Sequence, residues 1–489
     1  MSLITGLLFL VCATLIGRAM LPSRTVLTRS RWEELGVAYL LGAGVVTVVI
    51  TAGFVVGLSM SLLWWLPLLG AMVACALDRK RQATIGDFAQ VPWTKPIGVL
   101  LAVLAVAAFL ATIALPLNEF DAIYHWAYRG KVLLFEGTPL NEAITGMIND
   151  DGYGRLVTHP NYPFGIPILE AWTSHWGGWH ARWVQLPLAL WSACLPMAIA
   201  FGLRGYSKQA ASYGAVLTAA TPILYSYNFL EHGFDSISMA GLTSTLTLGG
   251  GADLAVMAML GVTCALFLRA RQLENKRTAI CAGLALAGTV MMKNEGLALA
   301  GVCLLALLLV SIFPPRRISV AIPFAAVAIL GIAPWLGLRA QLPAIDENYS
   351  EQLTIENVSH YLGGGRELVE KAPIAMSGRE PVDIDNAPAR IGLVLASFWD
   401  EFSDLRSWGL LWLLMIVALP VTRQRLLDPE SRWLTLVVLG GISMYFLILL
   451  VTPWNFPSLR DKGIPERLLV HLVGPIVLMF GAALPKKDT

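Results

Sequence analysis

Residues 97–137 read "IGVLLAVLAVAAFLATIALPLNEFDAIYHWAYRGKVLLFEG", an uncharged apolar run that leads directly into a segment of ionisable and aromatic side chains. About 20 apolar residues are enough for a helix to cross the hydrocarbon core of a bilayer. Such runs recur along the 489-residue chain, which is 56% hydrophobic and 14% charged. Soluble domains carry about 25% charged residues, and continuous rather than alternating runs favour helices over a barrel. The composition therefore predicts an all-α polytopic membrane protein.

We predict about thirteen transmembrane helices from these apolar runs. Segments rich in Lys and Arg, such as "DRKRQ" and "RARQLENKR", alternate along the chain with loops that are mostly poorer in these residues. Under the positive-inside rule, this alternation places the N-terminus outside and the C-terminus in the cytoplasm. The predicted spans lie near residues 3–22, 36–58, 61–77, 97–117, 183–203, 210–227, 252–268, 278–292, 296–313, 318–338, 407–421, 432–451 and 467–484.

This topology divides the chain into four regions. Residues 1–96 are expected to hold additional transmembrane helices, beginning with a retained anchor helix because the nearby arginines follow the first apolar run. Residues 97–340 form a transmembrane core that includes an outer loop at 118–182. A second outer loop follows at 341–406, and 407–489 hold the last spans with a charged outer segment at 452–467.

The cysteines and the net charge exclude two classes of site. All 6 cysteines fall inside apolar runs, which indicates small buried side chains rather than a disulfide framework or a metal site. The net charge is +2, without a basic stripe or aromatic-basic interleaving. We therefore expect no nucleic-acid partner.

Four side chains with useful chemistry follow the run at 97–117 at helical spacing: Asp121, Tyr124, His125 and Tyr128. Because positions i, i+3, i+4 and i+7 share one helix face, we predict a helix over 120–135 at the outer membrane surface, with Trp126 suited to the interface. The carboxylate can cap this helix or be solvated. Backed by an imidazole and two phenols, it can instead act as a general base.

The same outer loop contains the proline-rich stretch "HPNYPFGIPILEAW" at 159–172. Each proline fixes its own φ and restricts the residue before it, so His159 and Tyr162 are held in a stiff backbone. The stretch is either a rigid connection to the next helix or a substrate-lining loop that faces Asp121.

Two polar interruptions lie at the outer ends of later spans. Asp253 heads the apolar run in "GADLAVMAML", where it serves as an N-cap, as a second active-site carboxylate, or as both. In "MMKNEGLAL" at 291–299, residues Lys293 to Glu295 are expected to form the tight outer turn of a helical hairpin. That turn is either simply polar or brings its lysine to a phosphate.

Positive charge near the last span runs against the orientation rule. Within "TPWNFPSLRDKGIPERLLVHLVGP" at 452–475, three cations precede or open that span: Arg460, Lys462 and Arg467. They either snorkel to lipid headgroups or bind an anionic ligand. Arg467 is the strongest candidate for binding an anion, because it stands at the start of an apolar helix.

In order, these segments resemble the motifs of the GT-C superfamily of integral-membrane glycosyltransferases, which includes the protein O-mannosyltransferases and the lipid A aminoarabinose transferases. The resemblance covers about 97–484 and rests on the order and membrane side of the motifs. It runs through "EFDAIYHWAYRGKVLLFEG", "HPNYPFGIPILEAW", "GADLAVMAML", "MMKNEGLAL" and the stretch 452–475. The chain departs from the family at "HPNYP", and the spans before residue 97 are an addition to the usual core.

The resemblance implies a polyprenyl-phosphate-linked sugar donor and a glycan, lipid or protein acceptor on the outer face of a bacterial inner membrane. Asp121 would deprotonate the acceptor hydroxyl, which attacks the anomeric carbon with inversion. Arg467, with Arg460, Lys462 or Lys293, would stabilise the leaving phosphate. Many members of the family need no metal, and the two carboxylates Asp121 and Asp253 leave a divalent cation as an open alternative.

Two other functions share some of these features. A secondary transporter or flippase of lipid-linked sugars predicts ionisable residues at mid-span depth and broken helices. An O-antigen ligase or polymerase would combine long outer loops with lipid pyrophosphate donors. The clustering of ionisable residues at outer span ends favours surface chemistry on a lipid-linked substrate.

Overall fold

The structure is a computed structural model, and it describes ten ranges of the chain. All regular elements in these ranges are helices. The described residues are 2–22, 31–82, 95–114, 122–146, 159–224, 252–314, 317–343, 352–365, 389–452 and 464–484.

The main helices, numbered in chain order, account for most of these residues. They are α1 Ser2–Met20, α2 Arg31–Val55, α3 Trp65–Gln82, α4 Lys95–Ala114, α5 Tyr128–Glu136, α6 Gly165–Ser174, α7 Trp191–Leu203, α8 Lys208–Ala219, α9 Ala252–Leu273, α10 Lys276–Met292, α11 Asn294–Ile312, α12 Ile318–Arg339, α13 Ile355–Leu362, α14 Arg390–Ser403, α15 Leu411–Leu426, α16 Arg432–Val451, α17 Ile464–Leu469 and α18 Val473–Ala483.

In the described ranges, 9 helical stretches are long and apolar enough to cross a membrane. Each overlaps one predicted span, so the all-α architecture is confirmed and the helices are consistent with a polytopic membrane protein. The other four predicted spans coincide with α4, α8, α10 and α15, which are not among the nine. The total of about thirteen spans stays a prediction.

Helix α9 forms the centre of the bundle. Every residue from Ala252 to Arg271 is buried, because the helix packs against α7, α10 and α18 on different sides. The N-terminal helices join this core directly, since α2 contacts α7, α10 and α12.

The predicted second outer loop also contains helices, α13 and α14. Buried Arg390, the first residue of α14, donates hydrogen bonds to the carbonyl oxygens of Leu449 at 2.9 Å and Leu450 at 3.1 Å, and also to that of Thr452. These carbonyls belong to the last turn of α16, which has no further helical donors to satisfy them. Arg390 thus ties the end of the second loop to the end of α16.

The two ends of α10 mark opposite ends of the bundle. At its start, Arg277 donates from Nε and Nη2 to the carbonyl oxygens of Met20 and Ala19, both at 2.8 Å, at the end of α1. At its other end lies Lys293, which meets the beginning of α9. The charge pattern of the sequence predicts that the Arg277 end is cytoplasmic and the Lys293 end is outer.

Two glycines allow α1 and α2 to touch backbone to backbone. A Cβ atom on Gly42 would overlap the carbonyl oxygen of Ala13, and one on Gly17 would overlap that of Ala38. Any side chain at either position therefore pushes the two helices apart.

We expect Gly42→Val to destabilise the protein by about 3 kcal/mol or more, because the crowding falls on backbone that cannot rotate away. Thermal unfolding in detergent measures the effect. Gly301→Val is the matched control, since a Cβ on this exposed glycine of α11 meets nothing within 4 Å. Equal melting temperatures for the two variants would contradict the close α1–α2 contact.

Candidate functional site

A fully buried carboxylate organises the candidate site. Asp253 is the second residue of α9, and its Oδ1 accepts hydrogen bonds from Lys293 Nζ at 2.8 Å and His471 Nε2 at 2.9 Å. Its Oδ2 accepts from Arg467 Nε at 3.0 Å. Four segments, α9, the α10–α11 turn, α17 and the turn after α17, therefore meet at one side chain.

The turn that carries Lys293 matches the predicted helical hairpin. Helix α10 ends at Met292, α11 begins at Asn294, and Lys293 between them has an extended backbone with φ −158° and ψ 159°. Its ammonium group also lies 3.0 Å from Glu295 Oε1. Lys293 thus bridges two carboxylates instead of extending into solvent.

The last predicted span tightens into a 3₁₀ turn where it reaches Asp253. Helix α17 ends at Leu469, a 3₁₀ turn covers Val470–Leu472, and α18 continues from Val473. His471 lies in this turn, and its Nδ1 is 2.7 Å from the hydroxyl of Tyr445 on α16. Both side chains have no exposed surface.

Sequence analysis did not single out Tyr445 or His471. Each is a polar residue inside an apolar run, "ISMYFLILL" and "RLLVHLVGP". Ionisable residues at such positions are expensive in a membrane and are functional candidates by default. That signal was present in the sequence, whereas their pairing required the structure.

The structure bears on the roles expected for Asp253. The residue lies in the first turn of α9, where its charge complements the helix dipole, and its oxygens also accept from side chains. Both oxygens are engaged by donors, which suits a carboxylate that holds cations in place better than one that removes a substrate proton. A second active-site carboxylate acting as base stays a prediction.

The donors around Asp253 also bear on the divalent cation that the sequence left open. Two of its three partners, Lys293 and Arg467, are cations, and they occupy the positions that a metal ion would need. Asp253 therefore does not fit as a metal ligand in this arrangement. Across the part of the chain that the structure describes, no three His, Cys, Asp or Glu side chains form a metal-binding group.

The helix predicted over 120–135 is present in the described residues 122–136. Residues Ala122–Ala127 form a π-helix and α5 follows, so the spacing expected for a regular α-helix does not apply to the first turn. Trp126 is fully buried, and the interfacial position predicted for it is wrong. It stacks on Tyr162 at 5.7 Å between ring centroids.

The proline-rich stretch contributes to a ring cluster with this π-helix. The His125 and His159 rings lie 4.4 Å apart, and the His159 and Tyr162 rings stack at 4.7 Å. The structure thus brings together three of the side chains that the sequence assigned to one site. Tyr128 is half-buried on α5, whereas the side chain of Tyr124 and all of Asp121, Arg460 and Lys462 lie outside the described residues.

A buried arginine holds the proline-rich stretch in shape. Arg129 donates to the carbonyl oxygens of Pro163 at 3.3 Å and Pro160 at 3.5 Å, and also to that of Tyr162. Its guanidinium carbon lies 3.8 Å from the centre of the Phe164 ring. Burial lowers the pKa of Arg129 to about 9. Sequence analysis passed over this residue, although an arginine next to an aromatic cluster is a recognisable signal.

Two groups of side chains lie on adjoining elements. One is the ring cluster of His125, His159 and Tyr162, and the other is the Asp253 cluster, formed by Asp253, Lys293, Arg467 and His471. Gly165 begins α6 directly after the proline-rich stretch, and a Cβ there would overlap the carbonyl oxygen of Met291 and lie 3.0 Å from Met292 Sδ. Met292 immediately precedes Lys293. Close packing at Gly165 therefore sets the distance between the two parts of the candidate site.

A second buried carboxyl group lies behind the ring cluster. Glu170 on α6 is completely buried, and neither of its oxygens has a hydrogen-bond partner in the structure. It occupies space beside Gly130 and Trp179. Burial raises the pKa of Glu170 well above its usual value, which favours its neutral form in the folded protein.

We expect Glu170→Gln to stabilise the protein at pH 7.5. An unfolded glutamate loses its proton near pH 4.3, whereas folded Glu170 keeps it, so wild-type stability falls as the pH rises above that value. Glutamine has no proton to lose, and its advantage should shrink towards pH 4.5. Melting temperatures at both pH values test this, with exposed Glu136→Gln as control. An equal effect at both pH values would rule out a protonated Glu170.

We expect Asp253→Asn to cost about 3–5 kcal/mol, because it leaves Lys293 and Arg467 without their shared carboxylate in a buried site. Adding Lys293→Met to that variant should cost less than the sum of the two single changes. Unfolding measurements on both single variants and the double variant give the coupling. Exposed Asp428→Asn is the control, and strict additivity would show that the Asp253–Lys293 pair is not coupled.

Comparison with known proteins does not assign the chain to a family. No protein-family model matches the chain, and no curated protein matches it significantly.

Proposed function

We propose that the protein is an integral-membrane glycosyltransferase that moves a sugar from a polyprenyl-phosphate-linked donor to an acceptor hydroxyl on the outer face. The observation that carries the proposal is the pairing of Lys293 and Arg467 by one buried carboxylate at the predicted outer ends of the spans. Cations held in advance can stabilise charge that develops on a leaving phosphate without reorganising during the reaction.

Arg467 is the residue best placed to meet such a phosphate. Its side chain is 24% exposed, whereas those of Lys293 and Asp253 are 6% and 0% exposed. Its Nε is held by Asp253, which orients the planar guanidinium. A guanidinium can donate to two phosphate oxygens at once, and Lys293 adds a second positive charge behind it.

The ring cluster supplies a second wall for the site. His125, His159 and Tyr162 present aromatic and hydrogen-bonding surfaces of the kind that line small-molecule sites. Asp121 immediately precedes the π-helix that carries His125, and we assign it the general-base role. The acceptor oxygen then bonds to the anomeric carbon with inversion as the bond to the phosphate oxygen breaks. The acceptor proton passes to Asp121.

The acceptor class stays broad in this proposal and includes a glycan, a lipid or a protein. A bacterial inner membrane is the location that accompanies the proposed donor. The predicted orientation places the Asp253 end of the bundle on the outer face, where a flipped lipid-linked sugar would present its headgroup.

A transporter or flippase of lipid-linked sugars is the second candidate, and the irregular turn in the last span favours it. The 3₁₀ turn at Val470–Leu472 places a buried histidine inside a predicted membrane helix. His471 is seven positions after the start of α17, a depth of about 10 Å at 1.5 Å per residue. Because Asp253, Lys293 and Arg467 all lie within a few residues of helix starts or turns, we favour surface chemistry.

Protein purified into liposomes tests the proposal with a panel of polyprenyl-phosphate hexoses and pentoses. The release of polyprenyl phosphate in the presence of membrane extracts as acceptor source is the readout. We expect Asp121→Asn to reduce transfer by about 10²–10⁴-fold with donor binding largely kept. Arg467→Lys should be clearly impaired, because lysine keeps the charge but lacks the planar guanidinium that donates to two phosphate oxygens. Arg467→Ala, which also loses the charge, should be nearly inactive.

Arg339→Lys, in the last turn of another predicted span, is the matched control and should keep full activity. Near-normal transfer in Asp121→Asn would remove the general-base assignment. Full activity in Arg467→Lys would make Arg467 a headgroup anchor instead of a phosphate ligand. Movement of intact donor across the bilayer without transfer would select the transporter.

A further inference from the structure

Tyr445, His471 and Asp253 form an unbroken hydrogen-bonded chain inside the bundle. His471 Nδ1 is 2.7 Å from the Tyr445 hydroxyl, and His471 Nε2 is 2.9 Å from Asp253 Oδ1. All three side chains have 0% exposure. The transfer reaction proposed above gives Tyr445 and His471 no task, although burying both polar groups is costly.

This chain accommodates both protonation states of the imidazole. When the ring is neutral, Nε2–H donates to Asp253, and Nδ1 accepts a hydrogen bond from the Tyr445 hydroxyl. When the ring is protonated, both nitrogens donate and the hydroxyl turns to accept. A phenol can act in either direction, so His471 can gain a proton without losing a hydrogen bond or moving its ring.

The charges around His471 give a physical reason for the imidazole to gain a proton when an anion binds. The ionisable groups on the elements around His471 are Asp253 on α9, Lys293 and Glu295 at the α10–α11 turn, and Glu466 and Arg467 on α17. Among the described residues these are 2 cations against 3 carboxylates. Protonation of the imidazole would add a third positive charge to this described cluster, beside a bound phosphate.

We propose that His471 takes up a proton from solvent when a phosphate monoester binds beside Arg467 and Lys293, and that Tyr445 makes the uptake possible by reversing its hydrogen bond. The proton returns to solvent when the phosphate leaves. Both residues act as positioning residues, since His471 touches Asp253 and Tyr445 touches His471, and neither touches the reacting atoms. The inference rests on the proposed function for the identity of the anion.

The protonation of His471 can be followed without any ligand. In protein labelled with ¹⁵N-histidine, the His471 signals are those that disappear in His471→Gln. The proposal requires that these signals show both protonation states of the ring as the pH is changed. In Tyr445→Phe a smaller fraction should be protonated at each pH, because Nδ1–H then has no acceptor. Exposed Tyr213→Phe on α8 is the control.

Coupling to the anion requires a binding measurement with farnesyl phosphate as the probe. Calorimetry at pH 7.5 in two buffers of different protonation enthalpy gives the protons taken up on binding. We expect wild type to take up as much as about one proton more than His471→Gln, whose amide still donates to Asp253. The comparison cancels the probe's own titration.

The outcomes separate this inference from the proposed function. A ring that keeps one protonation state over the whole pH range would overturn the inference. Equal proton uptake in wild type and His471→Gln, with farnesyl phosphate bound, would also overturn it and leave the phosphate site standing. A ring that titrates in protein that does not bind farnesyl phosphate would remove the phosphate site, and the proposed coupling with it.

Discussion

The rest of the candidate site depends on the ionic contacts of Asp253. A buried carboxylate is tolerated only when cations and hydrogen-bond donors surround it, and here Lys293, Arg467 and His471 provide them. Each donor comes from a different segment, so the carboxylate also fixes how α9, the α10–α11 turn and the last span meet. Tyr445 extends the network to α16. One side chain thus links local electrostatics to helix packing.

A second constraint places the ring cluster next to this network. Arg129 supplies donors to backbone carbonyls of the proline-rich stretch, where prolines cannot donate from their own nitrogens. Gly165 then lets α6 pack directly on the end of α10 beside Lys293. A rigid loop and a close helix contact, rather than a long flexible connection, hold the imidazole and phenol rings near the cations.

These arrangements suit chemistry at a membrane surface on an anionic, lipid-linked ligand. Lys293 and Arg467 are rigidly placed, and the side-chain exposure increases from Asp253 to Arg467. The 3₁₀ turn at His471 is a feature that a transporter would also use. The proton uptake proposed for His471 would serve both candidate functions, because each must bind and then release a phosphate.

The all-α architecture could be predicted from the sequence, because the backbone polar groups of a long apolar run in lipid must be satisfied within a helix. The hairpin turn at Lys293 could also be predicted, because three polar residues separate two apolar runs. The side-chain partners of Asp253 and the burial of Trp126 could not be predicted. Those outcomes depend on groups far apart in the chain, such as Arg467 and Tyr162, whose proximity no local pattern of residues encodes.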